Sequence, residues 1–114
     1  FNGDVPVTRV LTPAEVASAY EQNTGKLIAE RFANLDPQRM PAVLVAGHAP
    51  FTWGPNVNAA VDNAIALEAV AELALGTLQL APQAPPLEAH LQTLHHERKH
   101  GPDAYYGQPA QCDR

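Results

Sequence analysis

One cysteine, Cys112, is all the thiol chemistry that these 114 residues offer. It cannot close an internal disulfide and provides no zinc-finger spacing. Basic residues are also scarce, with 7 Lys and Arg against 12 Asp and Glu and a formal net charge of -5. No basic surface is therefore available for nucleic acid or an anionic membrane, and the acidity speaks only to solubility. The longest apolar stretch, from 57 to 75, is interrupted by Asp62, Glu68 and Glu72, so it does not span a bilayer. The first residues do not read as a secretory signal, and a reducing, cytoplasmic setting is the expectation. Nucleophile elbows, phosphate-cradling glycine loops, dinucleotide fingerprints and internal repeats are missing as well.

What is present is a hydrophobic content of 46%, enough for the modest core of one domain. The stretch AVLVAGHAPFTWG, from Ala42 to Gly54, organises the rest. Ala42 to Ala46 are small or β-branched, bounded by Pro41 and Gly47, and too few for an independent helix, so they read as a buried strand. Gly47 lets the backbone turn and Pro50 fixes its exit, which holds His48 at a strand end. Phe51, Thr52 and Trp53 alternate apolar, polar, apolar and suit a second short strand that roofs the histidine with aromatics.

Before this centre, Val5, Val7 and Val10 read as an extended segment near a sheet edge, since Pro6 has no amide to donate. Thr12, Pro13 and Glu15 form a capping box with a first-turn proline, worth ~1 kcal/mol. Val16 and Tyr20 share a face of the helix that follows. Gly25 is expected to weaken or break it, with Leu27, Ile28 and Phe32 marking a second helical face to about Asn34. After the centre, Asn56 is placed to cap a long helix from about Val57 to Gln79. Its polar stripe joins Asn58, Asp62, Glu72 and Gln79, with Glu68 on the flank, while Val61 and Ile65 interrupt it and suggest cover on more than one side. Asn63 projects almost opposite, among Ala59, Ala60, Leu67, Val70, Ala74 and Leu78. There it needs a hydrogen-bond partner, either a local structural one or a role behind the histidine. Pro82, Pro85 and Pro86 form a stiff turn, and a last helix runs from near Pro86 through Leu87, Leu91 and Leu94 to Lys99, stopped by Gly101 and Pro102.

Read from residue type and position alone, the chemical candidates stay open. A histidine beside apolar residues is ordinarily a packed side chain, although His48 sits where a ligand would. His96 and His100 have the i, i+4 spacing that can share a metal, and with His95 they are equally ordinary surface residues. Arg98, Lys99 and His100 suit the negative end of a helix dipole. Tyr105 and Tyr106 suit packing or an interface, and Glu21 on an amphipathic helix is ordinarily a solvated charge.

Two separated segments sharpen these choices. AGHAPFTWG resembles the segment that carries the third zinc-binding histidine of L-ribulose-5-phosphate 4-epimerases, members of the class II aldolase/adducin family. RKHGPDAYYGQ, from Arg98 to Gln108, is similar to the C-terminal signature of the same epimerases. FNGDVPVTR, from Phe1 to Arg9, resembles the middle of such a chain, so the expectation is the second half of a family member. The resemblance implies an α/β fold, part of a three-layer domain with a central, mostly antiparallel sheet flanked by helices. Residues 1–108 would form the C-terminal half of that domain and 109–114 a disordered tail.

The implied function of the parent protein is to interconvert L-ribulose 5-phosphate and D-xylulose 5-phosphate by retro-aldol cleavage, rotation of the aldehyde and re-addition. In the resemblance, His48 is a zinc ligand and Tyr106 a catalytic acid or base on one face of the aldehyde. His95 orients substrate or tyrosine, and Glu21 is an acid near the same pocket. The other two ligands, a His-x-His pair, and the second catalytic acid would lie upstream of Phe1, so these residues alone are expected to be inactive. The implied partners are a phosphorylated ketopentose and three further subunits, in a homotetramer with active sites between subunits. A class II sugar-phosphate aldolase is the near alternative, which the Tyr105-Tyr106-Gly107-Gln108 ending disfavours. A non-catalytic, adducin-like assembly module is the other.

Overall fold

The computed structural model describes residues 1–105. They fall into two compact units, one comprising Phe1 and Gly3–Ala84 and the other comprising Asn2 and the chain from Pro85 onward. Tyr106 and the expected tail at 109–114 lie outside the described residues.

In the first unit, local chemistry starts the helices where the sequence places them. The Thr12 hydroxyl accepts from the Glu15 amide at 3.3 Å and the Glu15 carboxylate accepts from the Thr12 amide at 2.8 Å. This reciprocal box, with Pro13 in the first turn, opens α1 (Pro13–Ala17). The break then comes earlier than expected. Ser18 (φ -101°, ψ -95°) and Ala19 (φ -116°, ψ 72°) leave helical geometry. The Asn23 amide donates to the Glu15 carbonyl at 2.9 Å, which satisfies a group that the end of α1 leaves open. α2 (Tyr20–Arg31) instead runs straight through Gly25 and stops before Asn34. A glycine costs a helix interior only ~1 kcal/mol relative to alanine. Leu27 and Thr24, both buried, hold the helix on either side of that weak point.

The central run becomes β1 (Ala42–Leu44), which pairs antiparallel with β2 (Pro50–Thr52). Ala42 faces Thr52, Val43 faces Phe51 and Leu44 faces Pro50. Val45 and Ala46, expected in the strand, belong to the turn. The segment from Val5 to Val10 forms no strand of its own, yet it touches β1 through one parallel bridge between Val7 and Leu44. Its contacts are backbone bonds from the Leu44 amide to the Pro6 carbonyl at 2.9 Å and from the Thr8 amide to the Leu44 carbonyl at 3.0 Å. Pro6 and Thr8 are buried on its inner side. With Leu27, Met40, Ala42, Val43, Val45 and Leu67 they make the core.

Asn56 caps α3 (Val57–Leu80) by accepting from the Ala59 amide at 2.9 Å. The start of α3 is bound to the hairpin. The Thr52 hydroxyl donates to the Ala60 carbonyl at 2.9 Å, and the Asn63 side-chain amide donates to the Trp53 carbonyl at 2.8 Å. The apolar face opposite the polar stripe is covered as far as Leu67 and open beyond it, where Val70 and Leu78 are exposed. Val61 and Ile65 are exposed too, so among the described residues α3 is covered on one side only. No helix among the described residues is long and apolar enough to cross a membrane.

The second unit contains α4 (Ala89–His100). It begins later than expected, after Glu88, which makes no side-chain capping bond, and Leu87 stays outside it. The helix ends at Gly101, whose ψ of 173° is extended, and a Cβ there would lie 2.7 Å from the Glu97 carbonyl oxygen, which accounts for the glycine.

Candidate functional site

His48 stands on the tight turn between β1 and β2. The Val45 amide donates to the Ala49 carbonyl at 3.1 Å, the His48 amide donates to the Val45 carbonyl at 3.0 Å, and Gly47 takes φ +72°. That left-handed value explains the glycine, since an L side chain there is strained. The turn is also held from outside. The Ala46 amide donates to the buried Thr8 hydroxyl at 3.1 Å, and that hydroxyl donates to the Arg9 carbonyl at 2.8 Å.

The imidazole is exposed, but two rings lie against it. Tyr20 stacks on it with centroids 5.8 Å apart and planes 29° apart, and Phe51 approaches to 5.5 Å at 35°. Tyr20, Glu21, Thr24, Gly25, Ile28, His48 and Phe51 line one pocket of about 210 Å³. Glu21 and His48, far apart in the chain, thus line the same pocket. Trp53 does not join them. It meets Phe32 edge-on at 5.2 Å and donates its indole N–H to the Pro37 carbonyl at 2.8 Å, so the expected aromatic roof is Phe51 and Tyr20 instead.

Sequence reasoning missed Thr8 and Tyr20. The signal for Thr8 was its two-residue spacing from Pro6 in an extended segment, which turns both to the same side. Tyr20 carried no such signal, because its position depends on the break at Ser18 and Ala19.

A larger pocket of about 300 Å³ includes Arg9, Glu30 and Arg31 in its wall. Arg9 is committed to Glu15 at 2.9 Å and Glu30 at 3.1 Å, and Arg31 donates to the Val7 carbonyl at 3.0 Å, so these cations fasten the N-terminal segment to the helices. On α4, the His96 and His100 rings lie 4.9 Å apart, and burial together with the nearby Lys99 charge pushes the His100 imidazole below its ordinary value. His95 is exposed on the same helix. The Arg98 guanidinium lies 5.3 Å from the Tyr105 ring centroid. Among the described residues, no group of three or more His, Cys, Asp or Glu side chains is placed to hold a metal ion. An exposed imidazole on a fixed turn fits one ligand position, while the full set is not present in them.

A family model for the class II aldolase and adducin N-terminal domain matches residues 1–75, which include α1, α2, the hairpin and most of α3. The chain belongs to the class II aldolase and adducin family. L-ribulose-5-phosphate 4-epimerase UlaF from Salmonella paratyphi C (strain RKS4594) is 44% identical over 108 residues, covering 95% of this chain and 47% of the relative. The chain thus spans about half the length of that relative. The family match includes the turn bearing His48 and the pocket wall bearing Glu21, both in the first unit.

Proposed function

We propose that the chain is part of an L-ribulose-5-phosphate 4-epimerase, which inverts carbon 4 of a phosphorylated ketopentose by retro-aldol and aldol steps. The observation that carries this reading is the identity with a curated epimerase along nearly the whole chain. The exposed imidazole of His48 on a fixed turn, lining one pocket with Glu21, supports it. In this reading His48 donates a ring nitrogen to zinc, with its other ligands supplied by residues outside this sequence. Zinc, when bound, supplies a Lewis acid that favours negative charge on substrate oxygen. Tyr106 moves a proton at the carbon-4 oxygen, a task that suits a phenol with an unperturbed pKa of about 10. His95 orients substrate or tyrosine, and Glu21 supplies an acid at the pocket that His48 lines. The complete domain is three-layered, residues 1–108 belong to it and 109–114 follow as a tail. The assembly is a cytoplasmic homotetramer with sites between subunits, and the exposed leucines and valines of α3 support further burial by protein. In this reading the ligand set is incomplete among the described residues, and the 114 residues alone are inactive.

The test uses the whole gene product. His48→Asn should remove zinc and epimerisation together, while Tyr106→Phe should keep zinc and lose epimerisation. Full zinc occupancy in the His48 variant, measured by elemental analysis, contradicts the assignment. Aldol cleavage without epimerisation in the unsubstituted protein would point to the related sugar-phosphate aldolases.

A further inference from the structure

His48 is held by its backbone and also by the ring of Tyr20. Tyr20 is the first residue of α2, and it arrives there because the chain leaves helical geometry at Ser18 and Ala19 and restarts. That restart sets a half-buried phenol nearly parallel to the imidazole, at 5.8 Å and 29°. Phe51 forms the other ring contact, one register position into β2. A histidine on an exposed turn would otherwise sample several χ1 and χ2 settings and present its nitrogens in several directions. Aromatic contact of this kind favours particular ring planes.

We infer that Tyr20 is a positioning residue for His48, its ring fixing the plane in which the imidazole presents its nitrogens to a metal ion. The inference rests on the reading of His48 as a ligand. It concerns the tyrosine's ring rather than its hydroxyl, so phenylalanine should replace it. An aromatic pair of this kind is worth about 2–10-fold in an equilibrium constant when removed. That range is the effect to look for.

The experiment takes the whole gene product, stripped of metal, and titrates Zn²⁺ against a chromogenic chelator. Tyr20→Leu is expected to weaken Zn²⁺ binding by about 2–10-fold, and Tyr20→Phe should bind like the unsubstituted protein. Nuclear Overhauser contacts between the Tyr20 ring and the His48 ring protons should be seen in the unsubstituted protein before and after Zn²⁺ is added. This second measurement keeps the test decisive if the leucine variant fails to fold. Absence of those contacts overturns the inference, as does unchanged affinity in Tyr20→Leu. Equal losses in the leucine and phenylalanine variants overturn it too, since they would assign the effect to the hydroxyl. His48→Asn separates the two levels. If it keeps zinc, the ligand reading fails; if it loses zinc while Tyr20→Leu retains it, the positioning role alone fails.

Discussion

The Thr8 hydroxyl accepts the amide of Ala46 at 3.1 Å, across 38 positions of sequence, and so ties an extended N-terminal segment to the turn that carries His48. The same hydroxyl donates to the Arg9 carbonyl, which fixes the direction of its lone pairs. Thr8→Val keeps the shape and removes both bonds. Leaving an amide unsatisfied costs about 1–3 kcal/mol when it is fully buried, and the half-buried Ala46 amide belongs at the lower end. Thr8→Val is therefore expected to lower stability by about that amount in urea unfolding, with Thr8→Ser restoring most of it. Equal stability of the valine variant would show that water replaces the bond.

Gly47 and Gly25 make opposite predictions for one substitution. A Cβ at either position would meet nothing within 4 Å, so backbone conformation decides each case. Gly47 sits at φ +72°, where an L side chain costs roughly 1–2 kcal/mol, and Gly47→Ala should destabilise by that amount. Gly25 lies on the exposed side of a continuous helix, where alanine is better by about 0.5–1 kcal/mol, and Gly25→Ala should stabilise. Thermal unfolding of the two variants checks both signs.

How far the sequence could be read follows from the range of the forces involved. The capping box at Thr12, the Asn56 cap and the strand-turn-strand around His48 rest on neighbours within a few positions, and each was legible. That Asn63 needs a hydrogen-bond partner was legible too, since an amide on an apolar helix face demands one, whereas its partner, the Trp53 carbonyl on the hairpin side, was not. The helix break was misplaced because glycine propensity is a small local term, overridden by the packing of Leu27 and Thr24 and by the Asn23 bond to the end of α1. That Glu21 and His48 line one pocket was legible only through family resemblance, because the pocket joins two elements. Tyr20 and Thr8 were not legible as supports of His48 at all. Their roles depend on how the first helix and the N-terminal segment meet the turn.

Glu15 gives a pH prediction. Its bonds to Arg9 and to the Thr12 backbone and hydroxyl lower its pKa from 4.5 to about 2. A carboxylate depressed in the folded state contributes stability that is present above the unfolded value and lost as pH falls through the folded one. The melting temperature should therefore drop in Glu15→Gln at pH 7. The gap to the unsubstituted protein should narrow between pH 4.5 and about 2 and close below that. Added salt should shrink it at pH 7, because the Arg9 pair is at the surface. A gap that persists in acid would mean that glutamate contributes here by packing rather than by charge.

Asn63 is the second point at which α3 is fastened to the hairpin, through its 2.8 Å bond to the Trp53 carbonyl. Asn63→Leu keeps the branched shape and suits the apolar neighbours, so a hydrophobic account of this helix face predicts a gain. The hydrogen-bond account predicts a loss, because the Trp53 carbonyl is left without this partner, at a cost of about 1–3 kcal/mol. Asn58, exposed on the polar stripe of the same helix, provides the control. Asn58→Ala should stay within about 0.5 kcal/mol of the unsubstituted protein, as surface changes usually do. Urea midpoints of the two variants decide between the accounts: a leucine variant more stable than the original would mean that the helix is held to the hairpin by apolar contact alone.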